Sequence, residues 1–278
     1  MTYTAALPGS GKIRYPVFFG IAAMLEILLL PALTDNYIYL LHDPADGATA
    51  AVDPAEPEPV EAALQARGWR LNYIFNTHHH GDHVGANLSL KRSSGCRIVG
   101  AAVDRTRIPG LDLAVEDGTT FTLGREQVQV IATPGHTSGH IAFYCPDSSA
   151  LFCGDTLFSL GCGRLFEGSA EQLWQSLQRF KTLPPETRIY CAHEYTEANA
   201  RFAVEVDFDN PALRRRQTEV IALRQAGQPT LPSTMAQELA TNPFLREQDP
   251  AIQRHLGLTG RPAPAVFAEL RGLKDRFR

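Results

Sequence analysis

The sequence predicts an α/β (α+β) protein, with layered sheets covered by helices and a helical C-terminal domain. Three observations predict it. Up to about Cys191, short apolar runs are broken by Gly, Pro and Asp turns, the pattern of many short strands. Beyond Tyr195 the apolar residues recur at helical spacing, punctuated by Pro211, Gly227, Pro229, Pro232, Pro243, Pro250 and Gly257. Histidine and aspartate, finally, gather directly behind apolar strand-like runs, most densely in NTHHHGDHVGAN, residues 76–87.

The elements follow in order. Strands are predicted at Leu25–Leu30, Asn36–Leu41 and Thr49–Val52, each followed by Pro, Asp or Gly. Glu58–Arg67 reads as a helix, with Val60, Ala63 and Leu64 at helical spacing and Gly68 as its stop. Leu71–Phe75 is a buried strand, and Val84–Ser93 a helix. Further strands fall at Arg97–Gly100, Thr120–Leu123, Val128–Ala132, His140–Tyr144, Ala150–Cys153 and Ile189–Ala192. Ala170–Lys181 is an amphipathic helix carrying Leu173, Trp174, Leu177 and Phe180. The C-terminal helices are Glu197–Val206, Pro211–Gln225, Ser233–Ala240, Ala251–Leu256 and Ala263–Arg276.

At 278 residues the chain can bury a sizeable core without disulfides or structural metals. A net charge of -4 gives no basic surplus, which argues against a nucleic-acid partner. The cysteines Cys96, Cys145, Cys153, Cys162 and Cys191 are odd in number and lack a CxxC pair, as expected of free thiols in the cytoplasm. Near the N-terminus, Lys12 and Arg14 precede an apolar run that Glu26 interrupts. That run is too broken for a membrane span. Met24 stands just before the first strand, LEILLLPAL, which is read as buried. Residues 1–23 are therefore read as an extension or an upstream start, residues 24–195 as the sheet domain and residues 196–278 as the helical domain.

The histidine run carries the chemistry. His78 and His80 lie two apart in an extended segment, so both can grip one ion from the same side. Asp82 and His83 lie beyond Gly81, which permits a sharp turn toward a second ion. Imidazole with carboxylate suits Zn, Fe or Mn. The cluster alone has too few donors for two ions. His136, Asp155 and His193 each follow a predicted strand directly, and strand ends aim ligands from a rigid scaffold. Together they complete a shared site. His79 points the other way, His140 is read as a supporting residue, and His42 and His255 belong to no motif.

These residues carry a resemblance. THxHxDH followed by a lone His, a lone Asp and another His resembles the metallo-β-lactamase superfamily. The stretches THHHGDHVGAN, PGHTSGH, GDTLFSLGCGRLFEG and HEYT are together similar to glyoxalase II, the hydroxyacylglutathione hydrolases. The resemblance implies an αββα sandwich with a helical substrate-binding domain. It implies two divalent metals, zinc first and Fe or Mn as alternatives. His78, His80 and His136 would bind one, Asp82, His83 and His193 the other, and Asp155 would bridge them. A metal-bridging hydroxide, oriented in part by Asp82, would then hydrolyse S-D-lactoylglutathione to D-lactate and glutathione, the second step of methylglyoxal detoxification. Arg164, Phe166, Tyr195, Arg271 and Lys274 would bind the glutathione moiety, whose carboxylates suit cationic side chains. Some relatives carry Tyr where Phe166 stands, so one phenolic hydrogen bond is absent here. A persulfide dioxygenase of the same fold, with one iron, is the nearest rival. The long helical C-terminal region and its basic tail weigh against it. A monomer with no membrane partner is expected.

Overall fold

A computed structural model describes residues 25–277. The extension read at residues 1–23, with Lys12 and Arg14, lies outside them. The first sheet runs β1 (Glu26–Ala32), β2 (Asn36–His42), β3 (Thr49–Val52), β4 (Tyr73–Phe75), β5 (Arg97–Ala101) and β6 (Leu113–Val115), paired in that order. β1 to β3 are antiparallel and β3 to β6 parallel. Then come β7 (Thr120–Leu123), β8 (Glu126–Ala132), β9 (Ile141–Cys145), β10 (Ala150–Gly154), a small hairpin of β11 (Leu157–Phe158) and β12 (Gly161–Cys162), β13 (Arg188–Cys191) and β14 (Ser233–Thr234). The second sheet has the order β14-β13-β10-β9-β8-β7.

Strand alternation produces the layers. On β2, Ile38 and Leu40 face one apolar cluster with Val60 and Leu90, whereas Tyr37, Tyr39 and Leu41 face a second shared with the other sheet. Val60 and Leu90 belong to α1 (Pro57–Arg67) and α3 (Asn87–Ser94), which cover the first sheet. Between the sheets, Phe75 stacks on Phe143 at 5.1 Å, and Tyr39 meets Phe152 at 5.7 Å and Tyr190 at 5.2 Å. Each such buried ring contributes about 1.5–3 kcal/mol relative to exposure. The outer helix of the second sheet is α4 (Ala170–Phe180), opened by a Ser169–Gln172 capping box and burying Leu173, Leu177 and Phe180.

Several elements differ from the sequence reading. β1 is a half-buried edge strand rather than a buried one, and tolerates Pro31 for that reason. The helix read over Val84–Ser93 is two pieces, α2 (Gly81–Val84) and α3. Between them Ala86 N donates to Pro54 O, and a Cβ on Gly85 would sit 2.3 Å from Ala55 O. The chain packs too tightly there for a continuous helix with side chains on that face. Ser233 and Thr234 extend the second sheet, and Thr234 caps the helix that follows. β6, β11, β12 and β14 are too short to produce a readable period.

The C-terminal helices are α5 (Thr196–Val206), α6 (Pro211–Gln225), α7 (Met235–Thr241), α8 (Pro250–His255) and α9 (Ala263–Arg276). Phe202, Phe244, Val266, Phe267 and Leu270 join the apolar cluster that lies between the sheets, while Ala200, Ala203 and Leu213 of α5 and α6 form a small cluster of their own with Leu160. α9 packs against α4. Gly85→Ala is expected to destabilise the protein by about 1–3 kcal/mol through overpacking, read as a fall of several degrees in Tm; an unchanged Tm would show that the segment at Ala55 has room to yield.

Candidate metal centre

Five strand ends meet at one edge of the sandwich. Behind β4, Thr77 donates from N (2.8 Å) and Oγ1 (2.6 Å) to the two oxygens of Asp53, at the end of β3. Asn76 Nδ2 donates to His83 O, and Asn87 Nδ2 to Asn76 Oδ1. These buried bonds fix the turn that carries His78 and His80, and the single helical turn α2 then presents Asp82 and His83. His136 follows β8, Asp155 follows an irregularity in β10, and His193 follows β13.

The structure brings all seven residues together. His80 Nδ1 lies 3.0 Å from His78 Nε2 and 3.1 Å from His136 Nε2. Asp82 Oδ2 lies 3.4 Å from His83 Nε2 and 3.5 Å from His193 Nε2. In each triplet, atoms able to ligate a metal lie within 4.8 Å of one another. Asp155 spans the two, with Oδ2 3.4 Å from His136 Nε2, and Oδ1 3.4 Å from His193 Nε2 and 3.6 Å from His83 Nε2. His83 Nε2 and Asp155 Oδ1 are buried with no hydrogen-bond partner among the described residues. Orphaned, converging donors of this chemistry fit a pair of divalent cations.

On three of the rings the far nitrogen is occupied. His83 Nδ1 meets Asp53 Oδ2 at 3.0 Å, His193 Nδ1 meets Asp35 Oδ1 at 2.8 Å, and His136 Nδ1 meets the carbonyl of Arg164 at 2.9 Å. Asn36 Nδ2 donates to Asp82 Oδ2 at 3.0 Å. Asp35, Asn36 and Asp53 were not read from the sequence. Asp53 carried a signal, since it too follows a strand directly; the Asp35–Asn36 turn carried none.

Burial, reinforced by neighbouring histidines, pushes His78 and His80 below the usual imidazole range; burial lowers His136 as well, against the pull of Asp155. These rings are neutral donors. Burial would also lower His83, but Asp155 and Asp53 outweigh it and raise that ring well above its ordinary value. Burial would raise Asp155, yet His83 and His193 hold it far below the usual carboxylate range. His79 turns away, its Nδ1 3.3 Å from Asp104 Oδ2. His140 is buried, hydrogen-bonded to Thr133 and Thr156, and accepts from Asp155 N. His42 stacks on Trp69, and His255 meets Phe208, both apart from the site.

Beside the centre lies a cavity of about 400 Å³, lined by His136, Asp155, Arg164, Phe166, Tyr195, Arg271 and Lys274 among others. Phe166 is 63% exposed and sets its ring edge against His80 and His136. Tyr195 stacks flat on His193 at 4.8 Å. Arg271 differs from the free basic side chain that the sequence suggested. It is buried, and its Nη1 donates to Cys162 O at 2.9 Å while Nη2 donates to Asp275; Nε alone has no partner among the described residues. Lys274 lies over the rings of Phe202 and Phe277, and burial with the neighbouring Arg271 pushes its amine down to about 8.

Residues 34–193 match the profile of the metallo-beta-lactamase superfamily, and the chain belongs to that superfamily. Residues 194–277 match the hydroxyacylglutathione hydrolase C-terminus. The hydroxyacylglutathione hydrolase of Methylococcus capsulatus is 62% identical over 92% of this chain and the whole of its own length. Within the superfamily, then, the chain is a member of the hydroxyacylglutathione hydrolase family. Its fold is similar to that of the BLEG-1 B3 metallo-beta-lactamase, with a TM-score of 0.61 and 21% identity over 79% of this chain and 99% of that one. It is also similar to TTHA1623 in a di-iron-bound form, with a TM-score of 0.52 and 31% identity over 60% of this chain and 91% of that one.

Asp53→Asn tests the support behind His83. It is expected to weaken metal affinity roughly ten- to a hundredfold, measured by competition with a chromophoric chelator. Unchanged affinity would reduce Asp53 to a turn-forming residue.

Proposed function

We propose that the chain hydrolyses S-(2-hydroxyacyl)glutathione thioesters, with S-D-lactoylglutathione as substrate, to glutathione and the 2-hydroxy acid. The observation that carries this reading is the cavity itself, which runs from His136 and Asp155 to Arg164, Arg271 and Lys274. A reacting carbonyl and a carboxylate-bearing thiol moiety can occupy it together. The family match of the C-terminal residues and the activity named in the Methylococcus relative support it.

In this reading His78, His80 and His136 would hold one divalent ion and Asp82, His83 and His193 a second, with Asp155 shared between them. Zinc is our assignment; TTHA1623 held two irons, and the donors suit iron and manganese as well. Bound ions of this kind polarise a carbonyl and lower the pKa of a coordinated water to roughly 7. Asp82, whose side chain is 39% exposed and accepts from Asn36, would help orient the attacking water by hydrogen bonding. Arg164 and Lys274 pair with the substrate carboxylates, Arg271 backs the same wall of the cavity, and Tyr195 offers its hydroxyl. Phe166 shields the rings of the first triplet from water. Water adds to the acyl carbon, the C–S bond breaks, and the sulfur leaves as the glutathione thiolate. No side-chain nucleophile is required. Cys162 lines the cavity, but burial raises its thiol to about 11, which leaves it protonated and a poor nucleophile at neutral pH.

This activity places the chain after the step that joins methylglyoxal to glutathione. We assign it to the cytoplasm, as a monomer. All five cysteines are free and buried, and no helix of the described residues is long and apolar enough to cross a membrane.

Purified protein is expected to consume S-D-lactoylglutathione, followed by loss of thioester absorbance, with a pair of metal ions per chain on the same sample. Asp155→Ala should lose bound metal and roughly a thousandfold or more in kcat/KM. Slow turnover by the fully metallated parent would sink the reading. A pH profile adds a second test. Lys274 is charged below about 8 and neutral above it, so kcat/KM should fall as pH rises through that value. Lys274→Arg stays charged and should remove the fall; a profile identical to the parent's would take Lys274 out of substrate binding.

A further inference from the structure

The hairpin β11–β12 delivers Cys162, Gly163 and Arg164 to the cavity wall. Its turn is an unusual one. Leu160 has φ 60, the left-handed region that a branched side chain disfavours. Its side chain is fully buried against Ala200, Ala203 and Leu213 of α5 and α6. Such a conformation persists only where its surroundings hold it.

The holding groups come from the C-terminal helices, and each is buried. Glu238 of α7 accepts from Ser159 Oγ at 2.8 Å and from Leu160 N at 2.8 Å. Asn242 Nδ2, one turn further on, donates to Phe158 O at 3.1 Å, to Gly161 O at 3.0 Å and to Glu238 Oε2 at 3.0 Å. Asn199 Nδ2 donates to Ser159 O at 3.1 Å, and Arg271 to Cys162 O. Glu238 is wholly buried and has no ion-pair partner among the described residues. A carboxylate kept in the interior on hydrogen bonds alone is costly. An apolar side chain would fill the same space; it would not hold this turn. On the other side the loop has no slack, since a Cβ on Gly163 would lie 2.0 Å from Asp155 O. The turn is thus clamped between the helices and the residue that spans the two triplets.

We propose that Glu238, supported by Asn242, is a positioning residue for the substrate loop. It holds the Ser159–Leu160 turn in its left-handed form. It thereby sets where Arg164 and the Cys162–Gly163 wall stand relative to Asp155, and so governs affinity for the glutathione moiety without touching it. Neither Glu238 nor Asn242 lines the cavity. The inference rests on the thioester-hydrolase reading above.

The test is Glu238→Gln in the full, metallated chain. The amide keeps the shape and can keep one oxygen for Leu160 N and Asn242 Nδ2, but its NH2 then faces Ser159 Oγ, which must reverse from donor to acceptor and lose its bond to a carboxylate. KM for S-D-lactoylglutathione is expected to rise about tenfold, with kcat within about twofold of the parent and metal content unchanged. Binding of S-hexylglutathione, measured by calorimetry, should weaken in the same proportion. Ser159→Ala removes one bond of the same turn from the loop side and should shift KM and binding in the same direction by less. It decides the matter if Glu238→Gln does not fold. Unchanged KM and S-hexylglutathione affinity in the folded variants would overturn the proposal, whatever happened to Tm. A fall in kcat and metal content at constant KM would overturn it too, by moving Glu238 to the support of the metal centre. A metallated parent that does not hydrolyse the thioester would instead sink the activity reading itself.

Discussion

An imidazole has two nitrogens, and it can be aimed at a common point only if the one facing away is held. That constraint organises this end of the molecule. The outward nitrogens of His83, His193 and His136 are taken by Asp53, Asp35 and the carbonyl of Arg164. Their inward nitrogens are left to converge around Asp155. Each holding group sits at a strand end or in a turn anchored to one. The sandwich is therefore the jig: two sheets packed through Phe75, Phe143, Tyr39 and Phe152 cannot slide without misaligning rings contributed by both.

The two triplets differ in charge. The first is made of neutral imidazoles, lowered by burial. The second has histidines flanked by Asp53, Asp155, Asp82 and Asp35, whose negative charge raises His83 and His193. Carboxylates crowd one side of the shared centre and basic side chains the far side of the cavity. That polarity favours a cation at one end and an anionic substrate at the other, and it comes from placement rather than from the net charge of the chain.

Much of this was legible in the sequence, for a physical reason. Strands of four to seven residues such as β3, β8 and β10 carry enough alternation or apolar content to be located, and a His or Asp directly behind one is positioned by the backbone alone. That rule singles out His136, Asp155 and His193, the two-residue spacing singles out His78 and His80, and the turn at Gly81 brings in Asp82 and His83; their division into two triplets is what the family resemblance implied. What the sequence hid depends on tertiary partners. β14 is two residues long and exists only because β13 offers it an edge. The split between α2 and α3 reflects the close approach of Ala55 to Gly85. Arg271 looks like a free cation at a helix end, yet its guanidinium is mostly spent on the carbonyls of a loop more than a hundred positions away. Helical periodicity cannot report a contact of that range.

The pairing of β14 with β13 also bears on how such a chain can be cut and recombined. β13 leads to His193, and its outer edge is closed by Ser233 and Thr234. A chain ended after Tyr195 would leave that edge with bare N–H and C=O groups, next to the apolar surface that Phe244, Phe267 and Leu270 had covered. Such a fragment is a template for strand addition by another copy of itself. The natural seam for a chimera therefore does not fall at the passage from strands to helices: a grafted C-terminal half must bring its own edge strand, in register with Arg188 and Ile189.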